Sequence, residues 1–224
     1  MATQHVPTVL LAGGTGLVGR AFAQLLLEHK PPPRLVQLVR RVPADADPRA
    51  SWLAVDFNAL PKTLPPAQFA CCCLGTTIKQ AGSQQAFRAV DLDAVLAFAR
   101  AARAAGATRF AVVSALGASA GSAVFYNRVK AEMEAGVATV GFDGVVIARP
   151  SLLLGEREAL GQPARPGERL AAMITAPFGW LMPGSVRPIE AATVARALWR
   201  ALQQDGPGVR VIESGQLQQL GAPA

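Results

Sequence analysis

The sequence predicts a single doubly wound α/β domain, with a mainly parallel sheet covered by helices on both faces. Three observations carry that expectation. A short apolar run near the start leads through a glycine-rich turn into a helical pattern. Strand-like and helix-like stretches then alternate as far as Pro150. A tyrosine and a lysine at helical spacing follow the fifth strand-like stretch. The 224 residues suit one domain, taken as 1–224, with an irregular substrate-covering lobe at 151–189.

Thr8 to Ala12 is continuously apolar after its first residue, as a strand buried on both faces must be. Gly13-Gly14-Thr15-Gly16-Leu17-Val18-Gly19 follows, and Leu17, Val18, Ala21, Phe22, Leu25 and Leu26 recur with helical spacing. Glycines at 13, 16 and 19 in a strand–turn–helix context form a relative of the Rossmann dinucleotide fingerprint. Gly13 permits the tight turn, Gly16 leaves room for a pyrophosphate, and Gly19 lets the helix approach the sheet. The loop residues Thr15, Leu17 and Val18 are cofactor-binding candidates with them. The second strand, about Leu35 to Val39, ends in Arg40-Arg41. An NAD-selective site carries a carboxylate there for the ribose hydroxyl. A guanidinium instead suits the 2′-phosphate of NADP(H).

A third strand near Ser51–Val55 ends at Asp56-Phe57, and a fourth near Gln68–Cys73 runs into Leu74-Gly75-Thr76-Thr77. Gly75 lets the backbone pass close to a nicotinamide ribose. A long helix is expected over Gln84–Ala104. Asp91 and Asp93 lie on it two residues apart, so they face different ways and read as structural. Arg109–Val113 is a fifth strand delivering Ser114 at its carboxyl end, where ligands of open α/β sheets bind. The next helix carries Tyr126, the only tyrosine of the chain, and Lys130 four residues on. Residues so spaced share a helix face, and a nearby ammonium favours the phenolate. That arrangement turns a tyrosine into a general acid or base near neutral pH. Val145–Ala148 is a sixth strand ending at Arg149-Pro150, Glu168–Ile174 a short helix, Glu190–Gln203 an amphipathic helix and Val209–Ile212 a last strand. The tail after Gly215 is expected to fray. Leu152, Leu153, Arg165, Phe178, Trp180 and Met182 are candidate pocket residues.

Composition narrows the function. Hydrophobic residues make up 51% and charged residues 17%, as in a core-forming chain. No apolar stretch is long enough to span a bilayer, and Met1–Pro7 lacks a signal-peptide layout, so a cytoplasmic protein without a membrane partner is expected. The net charge is +7, yet the arginines are scattered and aromatics reach only 6%. No basic stacking platform results, and nucleic acid is not an expected partner. Attraction of a polyanionic dinucleotide is the simpler use of the charge. Cys71, Cys72 and Cys73 are contiguous, which suits core packing and not a metal site. His5 and His29 have no triad context. No metal is expected.

These residues together resemble an atypical short-chain dehydrogenase/reductase of the NAD(P)-binding Rossmann group related to the human Tat-interactive oxidoreductase. The glycine turn, Arg40-Arg41, Asp56-Phe57, Cys72-Cys73-Leu74-Gly75-Thr76-Thr77, Val90-Asp91-Leu92-Asp93, Ser114 with Gly117-Ala118, Tyr126 with Lys130, Arg149-Pro150 and Arg165-Pro166-Gly167-Glu168 carry the likeness. It implies NADPH binding and a Ser114–Tyr126–Lys130 active site. It places Asp56 and Phe57 by the adenine, and Leu74, Gly75, Thr76, Pro150, Leu153 and Arg165 along the rest of the cofactor. One departure stands out: relatives read Ser-Ser after the fifth strand, where this chain reads Ser114-Ala115, with Ser119 and Ser122 nearby. The implied function is reduction of a small carbonyl or oxidation of an alcohol. A cofactor-binding regulator or redox sensor without turnover, and a nucleotide-sugar epimerase-like enzyme, remain open. The family implies pairing through the tyrosine-bearing helices into a homodimer.

Overall fold

The computed structural model describes residues 6–154, 186–204 and 206–223. Its centre is a seven-stranded sheet in the order β3-β2-β1-β4-β5-β6-β9, with every pairing parallel. The strands are β1 (Thr8–Ala12), β2 (Arg34–Val39), β3 (Ser51–Ala54), β4 (Phe69–Cys72), β5 (Arg109–Val113), β6 (Gly144–Arg149) and β9 (Gly208–Glu213). Two short strands, β7 (Leu153–Leu154) and β8 (Ile189–Glu190), form a separate parallel pair. All of β1 is buried, which is why its sequence is an unbroken apolar run.

Period-two alternation sends β1 side chains into two cores. Leu10 and Ala12 join Phe87, Val95, Phe98, Val129 and Met133 on one face. Val9 and Leu11 join Phe22, Leu26, Val194, Leu198 and Trp199 on the other. The first face is covered by α3 (Gln84–Arg88), α4 (Ala94–Ala104) and α5 (Phe125–Ala138). The second is covered by α1 (Leu17–Glu28) and α6 (Ala191–Gln203). The strand order reverses between β1 and β4, and a crevice opens there at the carboxyl ends of the strands.

Two expectations need correction. The helix predicted over 84–104 is not uniform: a π-helical turn, Ala89–Asp93, separates α3 from α4. A four-residue helix, α2 (Ile78–Ala81), lies in the loop before it, with Thr77 accepting from the amide of Gln80. The tail does not fray after Gly215, because α7 (Ser214–Leu220) closes the chain. Its start is fixed by reciprocal bonds between Glu213 and Gln216, and its Leu217 is fully buried. The predicted helix at 168–174 and the candidates Arg165, Phe178, Trp180 and Met182 lie outside the described residues, as does His5.

Candidate active site

The glycine turn links β1 to α1. Gly13 adopts φ +82°, and a Cβ there would meet the Cys73 backbone at 2.4 Å. A Cβ on Gly19 would lie 2.1 Å from the Gly13 carbonyl oxygen, so α1 approaches the turn only because residue 19 has no side chain. Gly16 differs. A Cβ there would meet only the Gly13 carbonyl oxygen, at 3.3 Å. Gly16 is therefore far less crowded than Gly13 or Gly19, and it borders the crevice. No side chain caps α1, whose first amides point that way.

Arg40 is exposed at the carboxyl end of β2 and borders the crevice, with exposed Arg41 beside it. The exposed Asp56 accepts from the backbone and side-chain nitrogens of Asn58, 2.9 and 3.1 Å away, and so caps its own turn. Phe57 belongs to the core and shows only an edge to the crevice.

Beyond β4, Cys73 and Leu74-Gly75-Thr76 form the floor. The Cys71 and Cys73 sulfurs stand 3.8 Å apart on one side of the strand, and Cys72 points to the other core. Burial pushes the Cys72 thiol up to about 12 and raises that of Cys71 as well, so both stay protonated. The π-turn brings Asp91 inward, where it is fully buried, and leaves Asp93 exposed. One Asp91 oxygen accepts from the Thr76 amide at 2.8 Å, and the other lies 2.7 Å from the Lys130 ammonium. Asp91 is thus a site residue that the two-residue spacing hides.

Tyr126 and Lys130 share the cleft-facing side of α5. Tyr126 is half-buried against Phe87, ring centres 5.3 Å apart, and the Lys130 nitrogen is 6.0 Å from the tyrosine ring centre. Burial works against the Lys130 ammonium, but Asp91 and Tyr126 beside it outweigh that and raise it above its usual range.

Ser114 borders the cleft, but its hydroxyl donates to Glu134 over 2.5 Å. Glu134 also holds Arg149 through two bonds of 2.9 and 2.6 Å, and Arg149 reaches Glu213 at 3.0 Å. Ser114, implied as an active-site residue, thus commits its single hydroxyl proton to a buried carboxylate in this structure. Ala115 is the next residue on the cleft wall. Ser119 is exposed, and Ser122 accepts from the Val124 amide at the start of α5; neither borders the cleft. Glu134 follows Lys130 by the same four-residue step that separates Lys130 from Tyr126, the one sequence signal that could have revealed it.

These elements enclose about 810 Å³. Gly13, Thr15, Gly16, Leu17, Val18, Arg40, Asp56 and Phe57 line one half. Leu74, Gly75, Thr76, Ser114, Tyr126, Lys130, Pro150, Leu152 and Leu153 line the other. Gly19 lies beneath the turn and Arg41 stands beside the rim. A smaller cavity of about 160 Å³ lies at the opposite, amino-terminal ends of β5, β6 and β9, near Arg109, Gly144 and Gly208. Ligands of open α/β sheets bind beyond the carboxyl ends, which favours the larger cleft.

Comparison with known proteins agrees with this architecture. No family model matches the chain. The rat protein HTATIP2 is 32% identical over 223 residues, spanning 96% of this chain and 89% of its own length. The mitochondrial FMP52 protein of Eremothecium gossypii is 32% identical over 218 residues, covering 94% of this chain and 96% of its own. That of Emericella nidulans is 33% identical over 180 residues, 76% of each chain. The mitochondrial designation of these relatives overturns the expectation of a cytoplasmic protein. Among solved structures, MoeE5 in complex with UDP-glucose and NAD superposes with a TM-score of 0.69 at 16% identity, over 96% of this chain and 80% of its own. The Helicobacter pylori ADP-L-glycero-D-manno-heptose-6-epimerase superposes with 0.69 at 18% identity, over 92% and 76%. These two share the fold.

Proposed function

We propose that the chain, which belongs to the HTATIP2 family of atypical short-chain dehydrogenase/reductases, reduces a small carbonyl compound with NADPH. The observation that carries this reading is the meeting of Tyr126 and Lys130 with the glycine turn in one cleft.

The residues present fit a dinucleotide. Gly16 borders the cleft with less crowding than Gly13 or Gly19, and the uncapped start of α1 offers amides to a pyrophosphate. Arg40, assisted by Arg41, would hold the 2′-phosphate that distinguishes NADPH from NADH. Asp56 and Phe57 would flank the adenine. Leu74, Gly75, Thr76, Pro150, Leu153 and Lys130 would hold the nicotinamide half. A nicotinamide held there would supply the hydride for reduction of a carbonyl carbon. Tyr126 would donate its phenolic proton to the carbonyl oxygen, and Lys130, beside it, would hold the nicotinamide ribose. Ser114, with its proton on Glu134, shapes the wall and does not donate. The partner in this reading is a small molecule, not nucleic acid or a membrane.

The test is NADPH oxidation against a panel of aldehydes and ketones. Tyr126→Phe should lower turnover by about two to four orders of magnitude and leave NADPH affinity nearly unchanged. Normal turnover by that variant would remove Tyr126 as the acid. The committed Ser114 and the methyl of Ala115 favour a second reading, a cofactor-binding regulator that does not turn over. Tight NADPH binding without oxidation across the whole panel would select it.

A further inference from the structure

Past β6 the chain forms a rim of the cleft, Pro150, Ser151, Leu152 and Leu153, in the half that also holds Tyr126 and Lys130. Little regular structure supports this rim. β7 contributes two residues and pairs with two of β8, far short of what a strand pair needs to stand alone. Beside that ladder, the Leu116 amide donates to the Pro150 carbonyl at 3.0 Å, and the Ile189 amide to that of Leu152 at 2.9 Å. Side chains of the last helix supply a further hold. The hydroxyl of Ser214, fully buried at the start of α7, donates to the Ser151 oxygen at 2.9 Å. The Ser151 hydroxyl in turn donates to the Arg187 carbonyl, just ahead of β8, at 2.5 Å. One helical turn beyond Ser214, the Gln218 side chain donates to that same carbonyl at 3.2 Å. α7 therefore grips the chain where it enters β7 and where it enters β8.

A seven-residue helix of mostly polar sequence is marginal by itself. This one is fixed along its length. The capping box of Glu213 and Gln216 holds its start, and the fully buried Leu217 holds its middle. At its end, Arg196 of α6 donates to the Gly221 carbonyl at 2.6 Å, and Arg200 to the carbonyls of Leu220 and Ala222 at 2.6 and 2.9 Å. The helix is thus a fixed post joined to the α6 layer. Neither Ser214 nor Gln218 borders the cleft, so each reaches a ligand only through the rim.

We propose that Ser214 and Gln218 are positioning residues: through Ser151 and the Arg187 carbonyl they hold the rim Pro150–Leu153 ready for the nicotinamide half of the cofactor. The proposal rests on the dinucleotide reading of the cleft, which puts the nicotinamide in this half. A rim ordered in advance adds no ordering cost when the ligand arrives, whereas a loosened rim subtracts that cost from affinity. The consequence is selective. The rim meets one half of the cleft, so loosening it weakens ligands that reach that half and spares those that stop at the adenine end.

The test compares two probes by calorimetric titration: NADPH, and adenosine 2′,5′-bisphosphate, which lacks the nicotinamide half. Ser214→Ala should bind NADPH about five- to tenfold more weakly than wild type, the equivalent of one lost hydrogen bond, and bind the bisphosphate unchanged. Gln218→Ala should show the same selective loss, and it decides alone if Ser214→Ala does not fold. A lowered melting temperature with both probes bound as in wild type would overturn the proposal, because the two side chains would then serve stability only. Equal weakening of both probes would overturn it too, because the effect would not be confined to the rim. A wild-type protein that binds NADPH no more tightly than the bisphosphate would remove the nicotinamide from this half of the cleft, and the proposal with it. That outcome is read from the unaltered protein and the others from the variants, so the two failures are distinct.

Discussion

Glu134 is the joint between α5 and the sheet, and its removal is the most informative perturbation of stability. Its carboxylate accepts from Ser114 at the end of β5 and takes two bonds from Arg149 at the end of β6. Breaking a fully buried ion pair by deleting one partner costs about 3–5 kcal/mol. Here the Arg149 side chain is 23% exposed and keeps Glu213 at 3.0 Å, which lowers the expected cost of Glu134→Ala to about 2–4 kcal/mol. Ser114→Ala removes one bond and leaves Glu134 its arginine, so about 1–2 kcal/mol is expected. For a chain of this size, a loss of 1 kcal/mol lowers Tm by about 2–4 °C. Glu134→Ala should therefore melt about 4–16 °C below wild type, and clearly below Ser114→Ala. Urea unfolding and thermal melts of both variants measure this. Where turnover is found, Glu134→Ala should lower kcat more than it raises KM, because a small displacement of Tyr126 is costly. A loss under about 2 °C, or equal losses for the two variants, would refute the view of Glu134 as the joint.

Replacing Arg40 and Arg41 with alanine should weaken NADPH by about 1.5–3 kcal/mol and leave NADH nearly unchanged; equal affinities of the unaltered protein for the two cofactors would sink the phosphate assignment. Gly16→Val should fold and lose both cofactors, whereas Gly19→Ala, whose methyl would sit 2.1 Å from a carbonyl oxygen, should fail first in folding; calorimetric titration with a parallel melt separates the two. Because Lys130 is raised above its usual 10.5, its stabilising pairing is complete below that value and fades only as pH climbs through the higher folded value. The stability difference between wild type and Asp91→Leu/Lys130→Met should be flat from about pH 6 to about pH 9 and change only above about 10.5, where the wild type loses ground.

The fold was legible because most of its elements bury whole faces. An unbroken apolar run such as Val9 to Ala12 can only be a strand with a core on either side, and β1 is that. The amphipathic spacing of Val194, Leu198 and Leu202 likewise announces α6. Local chemistry that competes with periodicity was harder to read. The capping box of Glu213 and Gln216 turns a polar tail into α7, and no apolar stripe advertises it. The π-turn at Ala89–Asp93 has no signature in the residue types it uses, because one extra residue is absorbed within a helix that otherwise continues.

That extra residue also explains why the site was legible only in part. Groups that meet a ligand through backbone shape declare themselves by glycine, and side chains a helical turn apart declare themselves by spacing, so the turn at Gly13–Gly19 and the Tyr126–Lys130 pair could be read directly. Asp91 could not, since two-residue spacing on a regular helix makes it the equal of Asp93. Only the wider π-turn separates them, sending Asp91 to Lys130 and Asp93 to solvent. The position of Ser114 follows from the end of β5, while the direction of its proton follows from Glu134, twenty residues away in sequence. A serine is both donor and acceptor, and its neighbours decide which face it shows a substrate. The residues that bring charge to this site are therefore readable from the chain, but the residues that cancel it, Asp91 and Arg149, become readable only once the fold has joined them to their partners.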